Sequence, residues 1–172
     1  MLKGILCLII VFACGGLGLL KAQTYSARLE DLADLKDMIH ILQTEMSYRK
    51  DPLPNAFARI ASYKDNRAMD LLRRCSDSMK ESLDLKQCWE QAVKYAYEKS
   101  GSCLTGEDLV ILKDLGLQLG KSDIKGQAAM FVLTETKLEN QIEQATKEKE
   151  SKGKMYKGLG FSIGIVIAII LI

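Results

Sequence analysis

Residues 116–122, GLQLGKS, end in the Gly-Lys-Ser triplet that also ends the phosphate-binding loop of many nucleotide-binding proteins. That loop has four residues between its glycines, whereas only three separate Gly116 from Gly120. The loop also follows a buried strand and opens a helix, whereas this stretch closes an apolar helical pattern. A membrane-bound nucleotide hydrolase that uses residues 116–122 is therefore an alternative that both the spacing and the context disfavour.

The cysteines and the single histidine are the other residues that could act as metal ligands or nucleophiles. Structural zinc sites usually pair their ligands at short spacing, and the sequence has no CxxC pair. Cys75, Cys88 and Cys103 with His40 would be the available set, and we interpret His40 as a helix-face residue. An odd number of cysteines in the middle of the chain argues against a secreted disulfide scaffold. We expect reduced, mostly buried thiols.

Acid–base chemistry has little support in the sequence. The carboxylates are scattered at helix-surface spacing, and none is paired with another in an apolar stretch, as general acid–base catalysis would favour. A serine or cysteine nucleophile would need a general base, for which one histidine leaves few options. The net charge of +2 gives no electrostatic basis for nucleic-acid binding. We predict no enzyme activity, no cofactor, no metal and no nucleic-acid partner.

Both ends of the chain are apolar. Residues 4–20 and 158–172 carry no charge. As helices they would span ~25 and ~22 Å against ~30 Å of hydrocarbon, and flanking side chains such as Lys3 and Tyr156 can extend them. We predict a transmembrane anchor at residues 1–21, a polar domain at residues 22–156, and a second anchor at residues 157–172.

Basic residues beside the anchors predict their orientation, because positive flanks stay in the cytoplasm. Five lysines precede the last apolar run: Lys147, Lys149, Lys152, Lys154 and Lys157. Lys21 and Arg28 follow the first run. The sequence therefore predicts a cell-membrane protein with a cytoplasmic middle domain and both termini across the membrane. The alternative is an exported lipoprotein or binding module, since residues 11–14, VFAC, resemble a lipoprotein cleavage box before Cys14.

Small residues recur every four positions in the second anchor, at Gly160, Gly164 and Ala168. This spacing lets two membrane helices approach closely. Small residues are also common in such helices without a partner. The glycines of the first anchor, Gly15, Gly16 and Gly18, offer one possible partner surface.

The middle of the chain is predicted to be helical, because its apolar residues follow three-four spacing. The stripes are Leu32, Leu35, Ile39, Leu42 and Met46; Leu53, Ala56, Phe57, Ile60 and Ala61; Ala68, Leu71, Leu72, Cys75 and Met79; Cys88, Trp89, Ala92, Val93, Ala96 and Tyr97; Leu109, Leu112, Leu115 and Leu119; and Ile124, Ala128, Phe131, Leu138, Ile142 and Ala145. We predict an all-α, antiparallel bundle of about six helices with a transmembrane helix at each terminus.

Local signals predict several helix ends. Pro52 and Pro54 end the first long helix and open the next. Thr105 is the predicted N-cap of a helix with acidic residues in its first turn. Gly120 suits a helix stop, and Asp123 can cap the last helix.

Several stretches together resemble one family, namely LQTEMSY at 42–48, Pro52-Leu53, Trp89, LGLQLGKSD at 115–123 with Gln127, and YKGLGFSIG at 156–164. Their order resembles the stage III sporulation protein AB family of endospore-forming bacteria, almost from end to end. The resemblance marks these positions as structural or interface residues: Glu45, Tyr48, Pro52, Leu53, Trp89, Gly116, Gly120, Asp123 and Gln127.

The resemblance implies a domain similar to the cytoplasmic domain of the type II secretion platform protein F. It implies service as a non-enzymatic platform in a channel between mother cell and forespore, required for endospore formation. The expected partners are a secretion-type ATPase, stage III sporulation protein AA, and the other membrane subunits of the channel. The expected location is the mother-cell-derived outer forespore membrane.

Overall fold

A computed structural model describes residues 2–48, 51–81, 84–121 and 124–171. Within these ranges all regular structure is helical: α1 Leu2–Tyr48, α2 Leu53–Ile60, α3 Arg67–Lys80, α4 Leu85–Val93, α5 Gly106–Gln118, α6 Ile124–Glu148 and α7 Lys154–Leu171. A π-helical segment, Lys94–Lys99, continues α4, and another, Lys149–Gly153, joins α6 to α7. The predicted all-α fold with a long apolar helix at each end is confirmed.

The chain forms two compact units. The terminal unit comprises the chain up to Leu29 and from Glu143 onward, and the central unit comprises Glu30–Ile142. α1 and α6 each contribute residues to both units. These limits differ from the predicted ones at residues 21 and 157, which lie where the apolar stretches end. The predicted limits concern the boundary of the membrane, and they stay a prediction.

The central unit is a helical bundle. Lys36 Nζ lies 2.9 Å from Glu139 Oε1, and His40 Nδ1 lies 3.1 Å from Glu135 Oε1, so α1 and α6 run antiparallel here. Successive helices from α2 to α5 are in contact. The stripes predicted from the sequence supply the buried core: Leu32, Leu35, Ile39, Leu42, Ala56, Phe57, Ile60, Ala68, Leu71, Leu72, Cys75, Cys88, Trp89, Val93, Tyr97, Leu112, Leu115, Phe131 and Leu138.

The prediction that Ala128 belongs to the buried core is wrong. Ala128 is exposed, whereas Met130, Phe131, Thr134 and Leu138 are buried. Position 127 lies three residues before Met130 and four before Phe131, and Gln127 is half-buried. The buried face of α6 therefore passes through position 127, and Ala128 lies beside it, toward the outer face. The stripe ends Met46, Leu53, Met79 and Leu109 are half-buried.

The helix ends in the described ranges follow the local signals. Asp108 N–H donates to Thr105 Oγ1 at 3.3 Å, and Thr105 N–H donates to Asp108 Oδ2 at 2.8 Å, which forms a capping box before α5. Beyond the end of α5, Gly120 has a φ of +77°, a left-handed conformation that favours glycine. α2 begins after Pro52, with Pro54 in its first turn. Asp123 lies outside the described residues.

Candidate functional site

In the terminal unit, α1 and α7 form a tightly packed antiparallel pair. A Cβ atom built on Gly164 would lie 2.9 Å from the Cα of Val11, and one built on Gly160 would lie 3.1 Å from the Cα of Gly18. A Cβ on Gly18 would lie 2.6 Å from the carbonyl oxygen of Tyr156. Only residues without a side chain allow backbones to approach this closely.

The glycines highlighted by the sequence differ in their surroundings. Gly160 and Gly164 face α1, and Ala168 is half-buried further along α7. A Cβ built on Gly15 would lie 3.5 Å from the ring of Phe161, whereas a Cβ on Gly16 would have no atom within 4 Å. Gly18 is therefore the glycine of α1 that lies directly against Gly160.

Polar and aromatic groups continue the contact beyond the apolar stretch. The rings of Tyr25 and Tyr156 stack with centroids 6.1 Å apart. Arg28 Nη1 donates to Glu148 Oε2 at 2.8 Å, and the Arg28 side chain is only 6% exposed. Lys152 also donates to Glu148, at 2.7 Å, and lowers the pKa of that carboxyl group. Arg28 and Glu148 are 120 positions apart, so no local sequence pattern predicts that they pair.

An apolar surface surrounds this helix pair. Large apolar side chains of both helices are exposed, among them Phe12, Leu17, Leu20, Phe161, Ile165 and Ile169. In the described part of the chain, two helical stretches are long and apolar enough to cross a membrane, Ile9–Tyr48 and Lys125–Ile170. A contiguous exposed apolar surface commonly marks a protein or membrane interaction site.

In the central unit, Trp89 and Gly116 lie together in the core. Trp89 is 1% exposed, its Nε1–H donates to the carbonyl oxygen of Leu112 at 2.8 Å, and its ring centroid lies 6.1 Å from that of Phe57. A Cβ on Gly116 would lie 2.1 Å from Trp89 Cδ1. Gly116 is thus inside α5 and packed against an indole, which is not the strand-to-helix geometry of a phosphate-binding loop.

Other positions that carry the family resemblance surround the junction of α1 and α2. Arg59 donates to Glu45 at 2.6 Å and to Asp51 at 2.8 Å, and Tyr63 donates its hydroxyl to Glu45 at 3.3 Å. These bonds connect the end of α1 to α2, which begins after Pro52.

The remaining positions of this set have different surroundings. A Cβ on Gly120 would lie 3.6 Å from the side chains of Leu53 and Leu85. Gln127 is half-buried on α6. Tyr48, the last residue of α1, is 87% exposed.

Two of the three central-unit cysteines are poorly suited to nucleophilic chemistry, whereas Cys103 is half-buried. Cys75 and Cys88 are buried. Burial raises the pKa of Cys75 from 9.0 to about 12 and also raises the pKa of Cys88. A thiol attacks as its thiolate, so burial disfavours the reactive form of both side chains. Among the described residues, no group of three His, Cys, Asp or Glu side chains could hold a metal ion.

Over the residues that the structure describes, the fold and the paired helices define an all-α protein with two candidate membrane-spanning helices. Residues 3–172 match the model of the family Stage III sporulation protein AB. The chain is 28% identical over 172 residues to Stage III sporulation protein AB of Bacillus subtilis strain 168, covering 99% of each chain. A solved structure of Stage III sporulation protein AB, 25% identical, matches with a TM-score of 0.66 over 73% of this chain and 98% of that chain. The chain belongs to the stage III sporulation protein AB family.

Proposed function

We propose that the protein is a membrane platform anchored through both terminal helices, with its central unit in the cytoplasm. The observation that carries this proposal is the glycine-packed pair of α1 and α7, whose large apolar side chains point outward. In water this surface is unfavourable, whereas in a bilayer it meets hydrocarbon. The lysine-rich flank at residues 147–157 supports the cytoplasmic orientation.

The packing also bears on the lipoprotein alternative. Cleavage before Cys14 would remove Val11, whose Cα lies 2.9 Å from the Cβ position of Gly164. It would also leave the apolar face of α7 without part of its partner. An uncleaved first helix is therefore the better supported form.

Family membership supplies the biological process, which is endospore formation. Within that process we assign the chain a non-enzymatic role as an adaptor in a secretion-like channel between mother cell and forespore. The support is the resemblance to type II secretion platform proteins, together with the burial of Cys75 and Cys88, which raises the pKa of both thiols. The corresponding location is the outer forespore membrane.

The partner that this role requires is the secretion-type ATPase, stage III sporulation protein AA. We assign Tyr48 to its docking surface. Glu45, Leu53, Trp89, Gly116 and Gly120 all make internal contacts. Tyr48 is the exposed aromatic residue of the set, and tyrosine is enriched among the residues that contribute most to binding at protein interfaces.

The orientation is tested by reporter fusions. A reporter inserted after Ser100, in the irregular segment before α5, is expected to report a cytoplasmic position. One attached beyond Ile172 is expected to report the opposite side of the membrane. The reverse pattern would contradict the orientation and favour the exported lipoprotein.

ATPase docking is tested by co-purification with the full chain. Tyr48→Ala should weaken recovery of the ATPase by about tenfold or more. Tyr95→Ala is the matched control, because Tyr95 is also exposed but lies under the guanidinium group of Arg74 in a different surface region. Equal recovery with both variants would exclude Tyr48 from the docking surface.

A further inference from the structure

A groove of 170 Å³ lies between α1 and the segment that leads into α7, within the terminal unit. Ala22 and Ser26 form its α1 side, and Gly153 forms part of the opposite side. Gly153 is the last residue of the π-helical segment, and a Cβ built on it would have no atom within 4 Å. The groove is therefore open next to this glycine and offers the Ser26 hydroxyl as a donor.

Three lysines line the groove, Lys149, Lys154 and Lys157. Their neighbours Lys147 and Lys152 are paired with Glu143 and Glu148 at 2.7 Å.

In contrast, the three groove lysines make no ion pair with any residue that the structure describes. One carboxylate, Glu150, also lines the groove. The groove thus presents three ammonium groups against one carboxylate, which favours an anionic ligand.

The groove lies where both apolar stretches end. Ala22 directly follows Lys21, the first charge after residues 4–20, and Lys157 is the last charge before residues 158–172. The stacked rings of Tyr25 and Tyr156 lie in the same region, and tyrosines are enriched at membrane–water interfaces. If α1 and α7 cross a bilayer, the groove lies level with the lipid headgroups.

We propose that this groove binds the phosphate of an anionic phospholipid headgroup. The proposal rests on the membrane anchoring proposed above. The lysine ammonium groups neutralise the phosphate, and Ser26 donates a hydrogen bond to it. A free phosphate ion shares this chemistry, but the position beside two apolar helices favours the lipid as the source.

The test uses the full chain in nonionic detergent, titrated with phosphatidylglycerol or with phosphatidylcholine. Native mass spectrometry measures the lipid-bound fraction. We expect one phosphatidylglycerol per chain to bind about tenfold more tightly than phosphatidylcholine. Substituting glutamine for Lys149, Lys154 and Lys157 together should abolish the preference, and Glu150→Gln should strengthen it.

A second variant separates a defined site from general attraction between positive charge and anionic lipid. Gly153→Leu fills the groove without changing charge, and it should also abolish the preference. Gly158→Leu is the matched control, since Gly158 is exposed, has open space at its Cβ position and lies outside the groove. It should bind phosphatidylglycerol like the unchanged chain.

Flotation with phosphatidylcholine vesicles distinguishes failure of this inference from failure of the anchoring. A chain that does not float overturns the anchoring itself. A chain that floats without a phosphatidylglycerol preference overturns only the groove. Unchanged binding by Gly153→Leu would overturn the defined site, and displacement of the lipid by an equal concentration of inorganic phosphate would overturn the lipid as the source.

Discussion

At Gly116 the absence of a side chain makes room for the indole of Trp89. The ring cannot move away without losing two contacts, because its N–H donates to the Leu112 carbonyl oxygen and its centroid lies 6.1 Å from that of Phe57. A methyl group at Gly116 would begin 2.1 Å from Trp89 Cδ1, well inside van der Waals contact. Close packing in protein cores makes such an overlap costly.

Gly116→Ala should therefore destabilise the central unit by about 1–3 kcal/mol, although alanine is favoured over glycine in a helix by about 1 kcal/mol. Denaturant unfolding of the full chain in detergent, followed by the fluorescence of the single tryptophan, measures this. Gly106→Ala in the same helix is the control, because a Cβ there meets open space; it should be neutral or slightly stabilising. Equal effects at both glycines would contradict the packing role of Gly116.

At the scale of the elements, the N-terminus of α5 is stabilised by hydrogen bonds between residues that are close together in the sequence. Thr105 and Asp108 satisfy each other's backbone N–H groups. Asp84 precedes α4 in the equivalent position but makes no side-chain cap hydrogen bond. The two helix starts therefore differ in what an N-cap substitution should cost.

Thr105→Ala should reduce the free energy of unfolding by about 1 kcal/mol, because one N–H group of α5 loses its partner. Asp84→Ala should change it by less than about 0.5 kcal/mol. The same fluorescence-detected denaturation compares them. A cost at Asp84 as large as that at Thr105 would show that the cap hydrogen bond is not the cause.

The features that are predictable from the sequence are those that depend on residues close together in the chain. Thr105 and Gly120 mark the ends of α5, and the three-four stripes mark most of the core, because both signals act within a turn or two of helix. The π-helical segments Lys94–Lys99 and Lys149–Gly153 have no such signal. The bond of Arg28 to Glu148 and that of Arg67 to Asp31 at 3.0 Å join distant positions, so tertiary packing alone reveals them.

At the scale of the whole molecule, the first and last helices pack against each other. In the contact between α1 and α7, Gly164 lies against Val11 and Gly160 lies against Gly18. The contact continues to the stacked rings of Tyr25 and Tyr156. The sequence identified the small residues but left their partner open, because the same spacing also serves contacts between separate chains. If the two helices span a bilayer, as proposed, their antiparallel pairing places both termini on the same side, as the lysine flanks predict.

The most direct test of this account is an intramolecular disulfide between the two terminal helices. A Cβ on Gly164 would lie 3.4 Å from the Cβ of Cys14, close to the ~3.5–4.5 Å of a disulfide. Gly164→Cys should therefore cross-link to Cys14 within one chain after mild oxidation of native membranes, as read by non-reducing electrophoresis and peptide mass. Adding Cys14→Ser should abolish the cross-link, and Gly158→Cys should not form one. Absence of the bond in membrane-inserted protein, or a bond formed only between separate chains, would contradict the packing of α1 against α7 within one chain.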